Sequence, residues 1–207
     1  MDGLLLDTEP LWGQAMTRVA ARHGIEMTSQ RFKATTGLRI YEVCDHWALH
    51  YPWAGSATAR DVADEILEDV IALSLKKGRV LPGALALLKA IRAGGYKIGL
   101  ASSSPLHMID ALLHQFEIYS AFDFITSADA VDFGKPHPAV FLHCAALLGS
   151  KPYQCLVLED SVNGVIAGKA ALMKVIAIPD ALHFDDPRFA IADEKWSSLE
   201  QIDIKSW

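Results

Sequence analysis

Four clusters of polar residues in this chain have types and positions suited to chemistry. Asp2-Gly3 and Asp7-Thr8-Glu9 stand near the N-terminus. Ser102-Ser103-Ser104 follows the apolar run Ile98-Gly99-Leu100-Ala101. Lys135 sits in Phe133-Gly134-Lys135-Pro136-His137-Pro138, and Glu159-Asp160-Ser161 follows Leu156-Val157-Leu158. Adjacent carboxylates at a strand end repel one another unless a cation neutralises them, and a hard cation with oxygen ligands, above all Mg²⁺, does so. A lone ammonium and a hydroxyl at a helix start suit the oxygens of a phosphate. Together these groups describe a phosphoryl-transfer site, where catalysis is mainly positioning and charge neutralisation. Taken singly, Ser102 is as readable as a helix-start residue, and Lys135 as a solvated turn lysine. Glu159-Asp160 resists such a reading, because two acids directly after an apolar strand need neutralising.

The elements that must hold these groups fall into two patterns. From about Leu11 to Lys77 the periodicity is helical, with Val62, Ile66, Val70 and Leu73 on one stripe and a capping box at Thr58 and Asp61. From about Leu81 the pattern alternates. Pro82 opens a helix with an expected stripe of Leu85, Leu88 and Ile91, ended by Gly94-Gly95. Strands are expected at 96–101, 122–126, 154–158 and 175–178, separated by helices at 105–115, 138–148 and around Val162–Ala170. Near-continuous apolar strands alternating with helices predict an α/β fold with a doubly wound parallel sheet. The expected division is a core from 1–11 and 81–207, and an all-helical insertion over 12–80. Ligands of open α/β sheets sit beyond the carboxyl ends of the strands, where all four clusters fall.

The formal net charge of −6 and the absence of a Lys/Arg cluster give no basis for nucleic-acid binding. No run of about 18 apolar residues predicts a membrane span, and no signal peptide is visible. Cys44, Cys144 and Cys155 are few, odd in number and far apart, as expected of buried structural thiols in a reducing compartment. The expectation is a cytoplasmic protein, monomeric by default.

The order Asp-Gly…Asp-Thr-Glu, apolar strand-Ser, Gly-Lys-Pro-x-Pro and Leu-Glu-Asp-Ser-x-x-Gly resembles the four signature motifs of the haloacid-dehalogenase superfamily. The helical insertion between the first two resembles the cap of the β-phosphoglucomutase-like subgroup. Within it, Asp7–Trp12, Thr36-Gly37-Leu38-Arg39 and Ser104–Met108 look like the hexitol and 2-deoxyglucose-6-phosphate phosphatases. The resemblance covers essentially the whole chain. It implies a Mg²⁺-dependent phosphatase acting on a small phosphorylated metabolite. Asp2 would be general acid/base, with its backbone carbonyl on the metal. Asp160 would bind the metal directly, and Glu159 would assist through water. Ser102 would hydrogen-bond the transferring phosphoryl group and Lys135 would neutralise its charge. Arg39, Ser103, His107 and Trp12 would be substrate contacts, while Trp12 and Trp47 are alternatively readable as core aromatics.

The sequence departs from the family pattern at one place. The family's nucleophilic Asp lies two residues before the acid/base Asp, a position ahead of Met1. The apolar strand before it, central in the sheet, is absent too. The expectation is an N-terminally truncated sequence, with unpaired neighbouring strand edges. A β-phosphoglucomutase-type mutase is the runner-up, disfavoured because Trp12 occupies the position of that group's cap histidine. A dehalogenase fits poorly, since it would leave Asp2, Glu159 and Asp160 idle. An inactive truncated chain is the remaining alternative.

Overall fold

The computed structural model describes residues 1–28, 31, 35, 37–53 and 55–204, so Thr36 of the Thr36–Arg39 run lies outside the described residues. Helices α1 (Glu9–Arg22), α2 (Ile40–His50) and α3 (Ala59–Lys77) follow the first eight residues. The capping box expected at the start of α3 is present: Thr58 Oγ1 accepts the Asp61 N–H at 3.1 Å and Asp61 Oδ2 accepts the Thr58 N–H at 2.7 Å. Val62, Ile66 and Val70 are fully buried against α1 and α2, together with Val19 and Trp47. Arg22 of α1 pairs with Glu65 and Asp69 of α3 at 3.2 and 3.0 Å. These exposed pairs contribute little, and the buried apolar faces hold the three helices together.

The helical unit begins earlier than expected, at Glu9, so Trp12 lies inside α1. The two chain crossings that join it to the rest run side by side. Asp7 N–H donates to the Arg79 carbonyl and Leu81 N–H to the Leu5 carbonyl, both at 2.8 Å. Leu6 and Val80 form an antiparallel bridge between them.

The remainder alternates as expected: α4 (Ala84–Ala93), β1 (Gly99–Ser102), α5 (Leu106–Gln115), β2 (Phe124–Ser127), α6 (Ala139–Leu147), β3 (Leu156–Glu159), α7 (Val162–Ala170), β4 (Lys174–Ala177) and β5 (Glu194–Lys195). All strand pairs are parallel, with Leu100 opposite Ile125, Val157 opposite Val175, and Ile176 opposite Glu194. Instead of one continuous sheet there are two, β1–β2 and β3–β4–β5. Among the described residues no backbone pairing joins β1 to β3.

Several local expectations need correction. The buried stripe of α4 is Ala84, Leu87, Leu88 and Ile91, while Leu85 is exposed. Ala84 starts the i, i+3, i+4, i+7 series, which turns Leu85 outward. The first strand begins at Gly99, and Tyr96 is exposed. Cys155 is half-buried where Cys44 and Cys144 are buried. β5 was not foreseen, because Glu194-Lys195 carries no apolar signal. Among the described residues no helix is long and apolar enough to cross a membrane.

Candidate active site

The carboxyl ends of β1 and β3 point into a pocket roofed by residues of α1 and of the segment leading into α2. Asp2 lies on its floor. Its Oδ1 accepts from Thr8 Oγ1 at 2.6 Å and from the Trp12 indole Nε1–H at 3.3 Å. Its Oδ2 accepts from Ser104 Oγ at 2.8 Å. Three donors, two from the start of α1 and one from the turn after β1, therefore fix one carboxylate. Ser104 is itself held, because its carbonyl accepts from Ser127 Oγ at 2.7 Å. Neither Thr8 nor Ser104 was singled out from the sequence as a partner of Asp2. Their positions in Asp7-Thr8-Glu9 and in the serine triplet were visible, but the contact between them requires the fold.

Ser102 ends β1 and is 4% exposed, and its Oγ accepts the Ser104 N–H at 3.2 Å. Ser103 lines the pocket and donates from Oγ to the Gly37 carbonyl of the helical unit at 3.0 Å. Lys135 reaches across the gap between the sheets. Its Nζ forms an ion pair with Glu159 Oε1 and lies 3.5 Å from the Ala101 carbonyl. Glu159 Oε2 accepts from the Ser161 backbone N–H at 3.3 Å and from its hydroxyl at 3.1 Å. Ser161 Oγ in turn caps α7 by accepting the Gly164 N–H at 3.0 Å. Lys135 is therefore a buried, paired lysine, not a solvated one.

The electrostatics separate the acids. Burial works against the charged form of Glu159, but the ammonium of Lys135 and the hydrogen bond from it pull its carboxyl below the usual value. Asp160 has no such partner. Burial, then the neighbouring charges of Glu159 and Glu9, push it well above the usual carboxylate range. Glu9, at the start of α1, is pushed up to about 7 by burial and by the charge of Asp2. Among the described residues, neither the Glu9 nor the Asp160 carboxylate receives a hydrogen bond. Gly3, at φ +67°, is what lets these groups crowd together, since a Cβ there would stand 2.2 Å from Asp160 Oδ2.

The donor chemistry of this crowd fits a hard cation, which would relieve the repulsion that raises Asp160 and Glu9. Among the described residues, no three His, Cys, Asp or Glu side chains are arranged as a ready-made cluster for a metal. Both oxygens of Glu159 are turned onto Lys135 and Ser161. Glu9 lines the pocket and was missed from the sequence as a site residue.

The expected substrate contacts divide. Trp12 and Ser103 line the pocket; Arg39 and His107 do not. His107 is exposed on the first turn of α5. The Arg39 side chain is spent on other partners, described below. Trp47 is a core residue, fully buried between helices.

Acids, a buried lysine and hydroxyls converge under a helical roof at the ends of parallel strands, an arrangement whose chemistry suits a phosphoryl group. The family model of haloacid dehalogenase-like hydrolases matches residues 1–171, and the chain belongs to that family. It is a phosphoric monoester hydrolase. Hexitol phosphatase B of Escherichia coli (strain K12) is 42% identical over 206 residues, covering 99% of this chain and 92% of the relative. The putative phosphatase YhcW of Bacillus subtilis (strain 168) is 32% identical over 211 residues, covering 98% and 91%. Among solved structures, CbbY from Rhodobacter sphaeroides in complex with phosphate superposes with a TM-score of 0.86 at 25% identity, covering 97% of this chain and 92% of that one. A β-phosphoglucomutase from Clostridium difficile shares the fold, with a TM-score of 0.85 at 24% identity over 99% and 91% of the two chains.

Proposed function

We propose that the chain hydrolyses the phosphate monoester of a small polyhydroxylated metabolite, a hexitol phosphate or a sugar phosphate of the 2-deoxyglucose-6-phosphate type, with Mg²⁺ as cofactor. The observation that carries this reading is the carboxylate of Asp2, fixed by Thr8, Trp12 and Ser104 on the floor of a roofed pocket. In its protonated form a carboxyl so positioned can give its proton to a leaving alcohol, and the carboxylate left behind can then take a proton from water. Ser102 hydrogen-bonds the phosphoryl oxygens, and Lys135 offsets their charge. Asp160 and the backbone carbonyl of Asp2 are the residues that would hold Mg²⁺, with Glu159 assisting. The ion would supply neutralisation of charge on the phosphoryl group. In this reading the attacking carboxylate belongs to an Asp two positions ahead of Asp2, outside the given sequence. The similarity to hexitol phosphatase B of Escherichia coli supports a polyol phosphate as substrate. Trp12 argues against a mutase, because an indole donates a hydrogen bond but has no lone pair with which to relay a proton.

The test is phosphate release from a panel of hexitol, hexose and deoxyhexose phosphates, with Mg²⁺ or with chelator. The given chain is compared with one extended upstream by an apolar strand ending in that Asp. The expected result is Mg²⁺-dependent turnover of polyol or sugar phosphates by the extended chain alone. Equal turnover by the given chain overturns the assignment of the nucleophile. Release from no monoester by either chain overturns the reading.

A further inference from the structure

Arg39 was expected to touch substrate, yet its guanidinium is fully occupied elsewhere. Nε donates to Glu42 Oε1 at 2.8 Å, and Nη2 donates to the same oxygen. Nη1 donates to the Ala128 carbonyl at 3.3 Å and to the Val131 carbonyl at 3.1 Å. Nη2 also donates to the Asp132 carbonyl at 3.2 Å. All five N–H groups of the fork are therefore used. Three of them grip backbone that is 89 to 93 residues away in sequence, on the loop after β2. Glu42 completes the arrangement by accepting the Arg39 backbone N–H at 3.2 Å, which caps α2.

The gripped loop runs directly into Gly134-Lys135. A Cβ on Gly134 would stand 2.9 Å from Arg39 Nε and 2.9 Å from Glu42 Oε2, so an alanine there would push the ends of this pair off their seat. The next residue is the lysine whose ammonium spans the two sheets. Arg39 thus belongs to the helical unit by sequence and to the Lys135 loop by its hydrogen bonds.

We infer that Arg39, with Glu42, is a positioning residue: it latches the helical unit onto the 128–134 loop and thereby holds Lys135 in register when the pocket is roofed. This rests on the phosphatase reading for its kinetic consequence, but not for its structural one. A lysine cannot replace it, because one ammonium lacks the planar fork that serves three carbonyls and a carboxylate together. Misplacing a charge-neutralising group by even a fraction of an ångström weakens the transition state more than the bound substrate.

The experiment compares wild type with Arg39→Lys, Arg39→Gln and Gly134→Ala, using the form that releases phosphate. Gly134→Ala leaves Arg39 in place but pushes the flexible ends of Arg39 and Glu42 off their seat. For all three variants kcat is expected to fall by about tenfold or more while KM stays within about twofold. The loss is expected to be the same for a sugar phosphate and for p-nitrophenyl phosphate, which has no sugar to contact. A rise in KM confined to the sugar phosphate would make Arg39 a substrate contact and overturn the inference. So would a lowered melting temperature with kcat unchanged, the mark of a merely structural tie. Hydrogen exchange supplies a readout independent of turnover. The amides of Asp129 and Val131, bonded to Ser127 Oγ and the Ala128 carbonyl, are expected to exchange faster in Arg39→Gln. Unchanged exchange there overturns the inference even if the wild type releases no phosphate, an outcome that would count separately against the phosphatase reading.

Discussion

Lys135 and Glu159 meet in a buried ion pair between the ends of the two sheets, their side chains only 6% and 7% exposed. One arrives on the loop after β2 and the other ends β3, so the pair ties together two sheets that share no backbone hydrogen bonds. Removing one partner strands the other charge out of water, whereas removing both removes the problem. Lys135→Met is expected to destabilise the fold by about 3–5 kcal/mol. The double variant Lys135→Met/Glu159→Gln is expected to regain much of that loss without regaining phosphate release. Denaturant unfolding of wild type, Lys135→Met, Glu159→Gln and the double variant checks this, and an additive loss in the double variant would refute it.

Leu172, just beyond α7, holds φ +61° and is 79% exposed. Its N–H closes the helix onto the Lys169 carbonyl at 3.0 Å, and Met173 N–H closes onto Gly168 at 3.2 Å. This is the left-handed helix end that glycine adopts freely and a leucine adopts at a cost. Leu172→Gly is expected to stabilise the protein by about 1 kcal/mol, raising the melting temperature by about 2–4 °C with activity unchanged. A lowered melting temperature would show that the exposed side chain contributes packing after all.

The Asp193 carboxylate accepts from Lys169 Nζ at 2.7 and 2.8 Å and from the Val175 N–H of β4 at 2.7 Å. The Lys169 contact first, then the backbone N–H, hold its carboxyl below the usual range. A carboxyl lowered on folding adds stability above its unfolded pKa, near 4, and loses it as pH falls through the folded value. Asp193→Asn is therefore expected to cost at most about 1 kcal/mol at neutral pH, since the site is open to solvent. The difference from wild type is expected to shrink toward zero below about pH 4. Urea unfolding at neutral and acid pH measures it, and a constant difference across that range would refute the assignment.

Much of this protein was legible from residue order alone. The alternation of helices and strands, the capping box at Thr58, and the groups at the ends of β1 and β3 follow from local periodicity and composition, which do not depend on the rest of the chain. The family motifs alone group Asp2, Ser102, Lys135, Glu159 and Asp160 in one region. What the tertiary structure decided is where side chains spend their hydrogen bonds. Arg39 is indistinguishable in sequence from a substrate-binding arginine. Only the approach of the 128–132 carbonyls, 89 to 93 residues away, commits its fork to the loop beside Lys135. The same holds for Asp2, whose three donors come from Thr8, Trp12 and Ser104, and for Glu9, whose raised pKa exists only because folding buries it and sets it near Asp2. Periodicity reports which face of an element is apolar. Hydrogen bonds and charge repulsion act over a few ångströms between residues far apart in the chain, and only the packed structure brings those residues within that range.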